Sequence, residues 1–261
     1  MTPGGMTAPK LRALKGDRKI VCITAYDFWG AKHADAAGVD VILVGDSLGN
    51  VIQGGSTTLT VSLEDIEYHT RWVARGAEKA LVVADLPFGS YQSGVAGAVD
   101  AAIRLMKAGA GSVKLEGVYT EEIQAILKAG IPVMGHVGMT PQSVHAFGGH
   151  RVQGKGAHAD SILRDAKAVT DAGCYSVVLE LVPGDLARTI TKEIAIPTIG
   201  IGAGPECDGQ IQVFHDLLGI SDAPYKHIGH YESLGSKTVA AIQKYAEEVR
   251  GNSFPGPEHT F

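Results

Sequence analysis

One pattern recurs at least four times along this chain: an alanine-rich amphipathic stretch ends in a glycine, and a short apolar run follows. The glycines of these copies are Gly38, Gly109, Gly130 and Gly173. Glycine suits the left-handed backbone position just past a helix C-terminus, and parallel strands that are buried on both faces are continuously apolar. Helices that alternate with buried strands are typical of βα units. The pattern therefore predicts a fold built from repeated βα units.

The number of strands predicts a closed barrel. Seven apolar segments have the composition of buried strands, and we place an eighth within 212–217; the seven span 20–26, 39–46, 80–86, 112–116, 132–137, 175–181 and 196–201. An open doubly wound sheet would usually carry a glycine-rich dinucleotide turn after its first strand, and Tyr26-Asp27-Phe28 is not one. The 261 residues also match the usual size of one α/β barrel. We therefore predict an α/β protein with a single-domain (β/α)8 TIM barrel.

The predicted barrel domain covers residues 20–261 and follows an N-terminal tail or first helix at residues 1–19. Its C-terminal end includes a last helix at 232–250, because the apolar residues there keep roughly helical spacing. The whole chain is therefore expected to form one catalytic domain with a helical end.

Charge and cysteine content exclude several classes of protein. A formal net charge of −5 gives no basic field for nucleic acid or an anionic membrane. No apolar run approaches the length of a membrane span, and residues 1–18 lack the apolar segment of a secretory signal. Three cysteines without metal-type spacing fit a reducing compartment. We expect a cytoplasmic protein that binds small molecules.

Four of the predicted strands end in a carboxylate. These residues are Asp46, Asp85, Glu116 and Glu180. Active sites of such barrels lie at the C-terminal ends of the strands, and carboxylates crowded there repel each other unless a cation joins them. Oxygen ligands suit a hard ion such as Mg²⁺. The sequence therefore predicts a magnesium site at this rim, with Glu180, which lies farther round the barrel, as a candidate general base.

A lysine and a histidine accompany these acids. Lys114 and Glu116 are two residues apart on one strand, so their side chains share a face. Lys114 is a fixed positive charge suited to a substrate carboxylate. His136 ends the fifth predicted strand, and a supporting or packing role is favoured over direct catalysis because a single histidine is a weak signal.

Each of these acids also has a simpler interpretation. An acid after a strand is often the N-cap of the next helix, and Ser47 could cap the segment that follows it.

Three further segments also have two interpretations each. The glycine-rich stretch 200–204 could bind phosphate, or could be a tight turn. Two long loops, at 147–156 and 49–59, are candidate lids, with disorder as the alternative.

Several motifs resemble one enzyme family, the ketopantoate (3-methyl-2-oxobutanoate) hydroxymethyltransferases. The similarity runs from about Ile20 to the C-terminus, and is weak in the N-terminal tail and in 222–236. The segments that carry it are 23–27 (ITAYD), 43–49 (LVGDSLG), 84–88 (ADLPF), 113–117 (VKLEG), 135–143 (GHVGMTPQS), 179–180 (LE), 199–204 (IGIGAG) and 254–259 (FPGPEH).

The resemblance implies a TIM-barrel enzyme that transfers a hydroxymethyl unit from 5,10-methylenetetrahydrofolate to 3-methyl-2-oxobutanoate, giving 2-dehydropantoate for pantothenate synthesis. It implies Mg²⁺ as the metal and a homo-oligomer, specifically a homodecamer. Residue by residue, it implies that Asp46 and Asp85 are metal ligands and that Glu116 is a metal-linked carboxylate. It also implies a proton acceptor at Glu180 and substrate contacts at Asp46, Ser47, Asp85 and Lys114.

Two other functions compete with this interpretation. A lyase or mutase that breaks carbon–carbon or phosphorus–carbon bonds on a similar barrel also needs a metal-stabilised enolate, so the carboxylates alone do not exclude it. The cysteines lack the setting of a lyase-type motif. A non-catalytic keto-acid or folate binder would have no need for a base beside a metal site.

Overall fold

The computed structural model describes residues 4–261, so residues 1–3 of the predicted N-terminal tail lie outside it. Eight strands form one closed barrel in sequence order, and every neighbouring pair is parallel, including the first with the last. The predicted (β/α)8 TIM barrel is confirmed. The strands are β1 Ile20–Thr24, β2 Val41–Val44, β3 Leu81–Asp85, β4 Ser112–Lys114, β5 Val133–Gly138, β6 Ser176–Glu180, β7 Thr198–Ile201 and β8 Gly209–Gln212.

Helices lie between these strands and at both ends of the chain. The α-helices are α1 Ala8–Ala13, α2 Phe28–Ala36, α3 Leu48–Val51, α4 Leu63–Gly76, α5 Val95–Ala108, α6 Thr120–Lys128, α7 Val144–Phe147, α8 Ala159–Asp171, α9 Gly184–Glu193, α10 Phe214–Leu217 and α11 Leu234–Arg250. Short 3-10 helices span Pro141–Ser143, Gly156–His158 and Pro257–His259. Among the described residues, no helix is long and apolar enough to cross a membrane.

The four repeat glycines adopt the backbone conformation that the sequence pattern predicts. Their φ angles are 82°, 115°, 86° and 106° for Gly38, Gly109, Gly130 and Gly173. L-amino acids with a Cβ rarely adopt these angles. Each glycine therefore ends one helix and turns the chain into the next strand.

The eighth strand was predicted at the wrong place. It spans Gly209–Gln212, whereas Phe214–Leu217 forms the short helix α10. Gly209 resembles a loop residue in sequence, but a Cβ at this position would lie 2.5 Å from the backbone oxygen of Ile20. The glycine therefore allows β8 to approach β1 and close the barrel, and a strand of four residues is too short to show a clear period.

The chain forms two compact units. The first ends at Val213 and contains all eight strands, and the second is Phe214–Phe261. The barrel interior is filled by apolar side chains from most of the strands, including Leu43, Val83, Met134, Val178 and Ile199. In the second unit, α11 corresponds to the helix predicted over 232–250.

Candidate active site

The C-terminal rim of the barrel gathers charged side chains from five consecutive strands. Asp85 and Lys114 end β3 and β4, and their Cα atoms are partners in the parallel ladder. The Lys114 Nζ lies 2.5 Å from the Asp85 Oδ1 and 3.9 Å from the Glu116 Oε1. Asp46 follows β2, and all four of these residues are buried. Strand geometry thus brings three of the predicted acids and the predicted lysine together.

Each of these three carboxylates has one oxygen fixed by an amide N–H group. The Asp46 Oδ2 accepts a hydrogen bond of 2.9 Å from the side-chain Nε2 of Gln142. The Asp85 Oδ2 accepts from the backbone N of Asp46 at 3.0 Å, and the Glu116 Oε2 accepts from the backbone N of Gln142 at 2.9 Å. One oxygen of each carboxylate is therefore anchored, and the other is left for contacts with cations.

His136 connects this cluster to the fourth predicted acid. Its Nδ1 lies 3.5 Å from the Glu116 Oε1, and its Nε2 lies 3.4 Å from the Glu180 Oε2. Burial and the charge of Lys114 lower the pKa of His136, but the two carboxylates outweigh them and raise it to about 9. The two carboxylates therefore favour the protonated form of the histidine, which joins two acids from different strands.

The carboxylates outnumber the cations that neutralise them. Burial raises the pKa of Asp46 well above its ordinary value, and the charges of Asp85 and Glu116 raise it further. Burial also raises the pKa of Asp85, although Lys114 opposes this shift. The pKa of Glu116 is lowered, because His136 and Lys114 outweigh the effect of burial. Much of the repulsion between Asp46 and Asp85 is therefore not relieved by protein groups.

The donor set fits a hard divalent cation. Asp46 and Asp85 are adjacent, buried and mutually repulsive, and Glu116 lies close enough to add to the repulsion. Mg²⁺ usually keeps several waters and binds through one or two carboxylates. Within residues 4–261, no three acid, histidine or cysteine side chains form a group that could hold a metal ion by themselves. The pair of Asp46 and Asp85 provides two carboxylates, and the metal roles of these residues are a prediction.

The four acids do not cap the helices that follow them. In the described part of the chain, the N-cap positions of α3, α5, α6 and α9 make no side-chain capping hydrogen bond. The acids instead contact Gln142, Lys114 and His136. The capping interpretation is therefore wrong for these acids. Ser47 is likewise no side-chain cap, and its Oγ lies 2.8 Å from the buried Tyr26 hydroxyl.

Glu180 differs from the other acids in exposure and in backbone setting. Its side chain is 17% exposed, whereas those of Asp85 and Glu116 are 2% exposed. The next residue, Leu181, has a φ of +48°, and its carbonyl accepts a 2.9 Å hydrogen bond from the backbone N of Gln153 in the loop after β5. A Cβ on Gly138, which ends β5, would overlap the Glu180 carbonyl oxygen. The backbone therefore holds Glu180 in a tightly determined position.

The glycine-rich stretch after β7 forms a turn tied to β8. The φ angles of Gly202 and Gly204 are 65° and 83°, and the Gln210 Nε2 donates a 2.9 Å hydrogen bond to the Gly204 carbonyl. This geometry agrees with the turn interpretation of the stretch. The phosphate interpretation gains no support from these contacts.

Sequence reasoning missed two buried residues of the site, Gln142 and Tyr91. Gln142 lies directly after Pro141 in a segment that carries the family resemblance, which is the signal that could have found it. Tyr91 lies in the loop after β3, and its hydroxyl contacts both Gln142 and the backbone of Glu116. We find no sequence signal that separates Tyr91 from an ordinary loop aromatic.

Comparison with known sequences gives a match over nearly the whole chain. The sequence model of a family described as ketopantoate hydroxymethyltransferase matches residues 5–257. A relative from Moorella thermoacetica named 3-methyl-2-oxobutanoate hydroxymethyltransferase is 52% identical over 263 residues, covering 98% of this chain and 97% of the relative. A relative of the same name from Enterococcus faecalis is 54% identical over 250 residues, covering 94% and 91%.

Comparison with solved structures gives the same barrel at low sequence identity. A phosphonopyruvate hydrolase in complex with oxalate and Mg²⁺ has a TM-score of 0.63 at 16% identity, covering 97% of this chain and 93% of that one. A phosphoenolpyruvate phosphomutase from Streptomyces platensis has a TM-score of 0.64 at 16% identity, covering 94% and 88%. At this identity the likeness establishes the fold alone.

Proposed function

Because this chain belongs to the ketopantoate hydroxymethyltransferase family, we propose that it transfers a hydroxymethyl unit from 5,10-methylenetetrahydrofolate to 3-methyl-2-oxobutanoate. The product is 2-dehydropantoate, which is used for pantothenate synthesis. The observation that carries the proposal is the buried rim cluster, in which Asp46, Asp85 and Glu116 surround Lys114 and connect through His136 to Glu180.

Asp46 and Asp85 are the proposed ligands of a Mg²⁺ ion, with Glu116 linked to it. When bound, the ion supplies Lewis-acid polarisation of the substrate's keto oxygen, which makes the neighbouring carbon more acidic. The amide donors on these carboxylates fix their orientation before any ligand arrives. Such support of metal ligands by surrounding hydrogen bonds is common in metal sites.

Lys114 is the proposed partner of the substrate carboxylate. Burial lowers the pKa of this lysine, but the charges of Asp85 and Glu116 outweigh burial and raise it, so Lys114 keeps its positive charge. A fixed buried cation beside the carboxylates orients the keto acid with its keto group toward Asp46 and Asp85. Ser47, which follows Asp46 and precedes α3, is a further proposed substrate contact.

Glu180 is the proposed base that removes the proton at the branched carbon of the substrate. Its side chain is the most exposed of the four acids, so it is accessible to a ligand at the rim. His136 contacts one of its oxygens and thereby limits its rotation. The carbanion that forms attacks the one-carbon unit of the folate, which supplies the electrophile that the protein lacks. As the new carbon–carbon bond forms, the bonds from this carbon to the folate nitrogens are broken, water supplies the hydroxyl oxygen, and tetrahydrofolate leaves.

A turnover assay tests this function. Purified protein with 3-methyl-2-oxobutanoate and 5,10-methylenetetrahydrofolate should form 2-dehydropantoate; chelation should abolish the reaction and Mg²⁺ should restore it. Omission of the folate separates the proposal from a lyase, because a lyase would cleave its substrate without a one-carbon donor. Full activity in metal-stripped protein would contradict the metal role, and the absence of any transfer would contradict the function.

The proposal includes a cytoplasmic location and a homo-oligomer, with a homodecamer as the expected assembly. The cysteines Cys22, Cys174 and Cys207 are buried and unpaired, which suits a reducing compartment. In the second unit, α11 carries exposed apolar side chains, among them Ile242 and Tyr245, that a second copy could cover. Light scattering after size-exclusion chromatography measures the assembly, and a monomer at micromolar concentration would contradict it.

A further inference from the structure

Gln142 contacts two of the three rim carboxylates at once. It lies in the 3-10 helix Pro141–Ser143 after β5 and is buried. Its side-chain Nε2 donates hydrogen bonds to the Asp46 Oδ2 at 2.9 Å and to the Leu86 carbonyl at 3.0 Å. Its backbone N donates to the Glu116 Oε2 at 2.9 Å. One residue therefore supplies two of the three amide donors that anchor the acids.

The other end of the Gln142 side chain fixes which way the amide faces. Its Oε1 lies 2.7 Å from the Tyr91 hydroxyl and 3.1 Å from the Gln92 Nε2. The Tyr91 hydroxyl accepts from the backbone N of Glu116 at 3.2 Å, and its one proton faces the Gln142 Oε1 at 2.7 Å and the Glu116 carbonyl at 3.1 Å. A flipped amide would place its oxygen against the Asp46 carboxylate and against the Leu86 carbonyl, which only accepts hydrogen bonds, and would turn its NH2 group toward the Gln92 Nε2. The amide N therefore faces Asp46.

The chemistry of glutamine suits this position. A neutral amide donates to Asp46 without adding charge, whereas a lysine would neutralise the acid and a glutamate would add to the repulsion among the acids. Because one oxygen of Asp46 and one of Glu116 are fixed by Gln142, the remaining oxygen of each is constrained in direction. The two acids belong to different strands, so no local backbone geometry sets their relative orientation.

We propose that Gln142 is a positioning residue of the cation site, which orients Asp46 through its side chain and Glu116 through its backbone. This inference rests on the proposed function, since it assigns a role toward the metal of that site. Tyr91 sets the direction of the Gln142 amide and acts only through it. Gln92 donates to the same Gln142 Oε1 through its Nε2, and none of the contacts described above joins Gln92 to a carboxylate.

The substitution Gln142→Met separates the two roles of this residue. Methionine keeps the length of the side chain and the backbone N–H that binds Glu116, but removes the hydrogen bond to Asp46. The matched control is Gln92→Met, which removes a neighbouring amide from the same network. Mn²⁺ is the probe, and its free concentration is measured by electron paramagnetic resonance in protein without substrate or folate.

We expect Gln142→Met to bind Mn²⁺ about 10- to 100-fold more weakly than the wild type, the usual cost of losing a group that supports a metal ligand. Gln92→Met should bind Mn²⁺ like the wild type. Thermal unfolding without metal verifies that both variants are folded. If Gln142→Met does not fold, Gln142→Leu replaces it, because it also removes the side-chain donor to Asp46 and keeps the backbone N–H that binds Glu116, with the same expected weakening.

The outcomes distinguish this inference from the function on which it rests. A wild type that binds Mn²⁺, together with a folded Gln142 variant of equal affinity, overturns the positioning role and leaves the proposed function standing. A wild type without Mn²⁺ or Mg²⁺ affinity overturns the metal part of the proposed function, and the positioning role with it. An equal loss of Mn²⁺ affinity in Gln92→Met also overturns the inference, because the loss would then follow from any disturbance of this hydrogen-bond network and not from the bond between Gln142 and Asp46.

Discussion

Two aspartates flank the short strand β2, and each is 5% exposed, yet their surroundings are opposite. Asp40, before the strand, accepts two hydrogen bonds from the Arg18 guanidinium, at 2.8 and 2.5 Å, and one of 3.0 Å from the backbone N of Val21. Asp46, after the strand, lies beside Asp85 and shares one lysine with the other acids. The same residue type, with the same exposed fraction, is fully paired at one end of the strand and crowded at the other.

The pKa values express this difference. Burial raises the pKa of Asp40, but the hydrogen bonds from Arg18 and Val21 outweigh it and hold the pKa below its ordinary value. Burial raises the pKa of Asp46 too, and the neighbouring acids add to the shift. Ionised Asp40 therefore stabilises the fold, whereas ionised Asp46 destabilises it. Retaining such a destabilising group is typical of functional sites.

A second acid at the N-terminal side of the barrel repeats the pattern of Asp40. Asp208 precedes β8, pairs with the Lys15 Nζ at 2.8 Å, and accepts a 2.9 Å hydrogen bond from the backbone N of Thr198. Paired acids of this kind join segments distant in sequence. The contrast between the two ends thus separates residues that maintain the barrel from residues that are expected to perform chemistry, and the following variants test it.

The largest expected effect is that of Glu180→Gln. Glutamine keeps the shape of the side chain but cannot accept the substrate proton, so catalysis should fall by about 10²–10⁴-fold. Exchange of the C3 proton of 3-methyl-2-oxobutanoate in D₂O, measured by NMR without folate, isolates this step. Glu193→Gln is the matched control, because Glu193 pairs with Lys167 outside the site. Wild-type exchange in Glu180→Gln would assign the base to another group.

The next effect is that of Lys114→Met on substrate binding. A charge-assisted contact contributes roughly 1.5–3 kcal/mol, so the KM for the keto acid should rise about 10- to 100-fold. Lys15→Met removes the lysine at the opposite end and should lower thermal stability with an unchanged KM. Steady-state kinetics at saturating folate measures both. An unchanged KM in Lys114→Met would make this lysine a structural partner of Asp85, like Lys15 for Asp208.

A smaller effect, a change in Tm of opposite sign for the two ends of β2, is expected for Asp46→Asn and Asp40→Asn. In chelator at neutral pH, Asp46→Asn should raise the Tm, because it removes a buried charge repelled by its neighbours. Asp40→Asn should lower the Tm by roughly 2–4 °C, corresponding to about 1 kcal/mol, since Arg18 is about half exposed and solvent screens the pair. Calorimetry measures both, and two shifts of the same sign would refute the comparison.

The smallest effect is the dependence of these shifts on pH. The pKa of Asp40 is lowered, so its stabilisation is present above its ordinary value of 3.8 and is lost as pH falls through the lower folded value. The pKa of Asp46 is raised, so its destabilisation grows as pH rises from 3.8 toward the higher folded value. The difference in Tm between Asp40→Asn and the wild type should therefore become smaller as the pH is lowered. The difference in Tm between Asp46→Asn and the wild type should become larger as the pH is raised.

The barrel and most of its charged rim could be predicted from sequence because both depend on local patterns. The glycines after the helices, the apolar strands and the acids at the ends of four predicted strands are readable along the chain. The eighth strand was misplaced because Gly209 is required by its contact with Ile20, which is distant in sequence.

The contacts that support the site could not be predicted, although a supporting role was expected for His136. Gln142 and Tyr91 act on acids from other strands, and His136 reaches Glu180 across the pairing of β5 with β6. Tyr91 and its partner Glu116 are 25 residues apart in sequence, and Gln142 and its partner Asp46 are 96 residues apart. A pattern with a period of a few residues contains no information on contacts at that separation.

Gly138 has a consequence for how this enzyme can vary. Its φ is 95°, and a Cβ there would overlap the Glu180 carbonyl. Every amino-acid substitution at this position adds a side chain where only a hydrogen fits and displaces the strand that presents Glu180, so no replacement residue is neutral. In a saturation library selected for growth without pantothenate, we expect codon 138 to return only glycine. Exposed positions outside the site, such as Glu193 at the end of α9, should accept many residues in the same library.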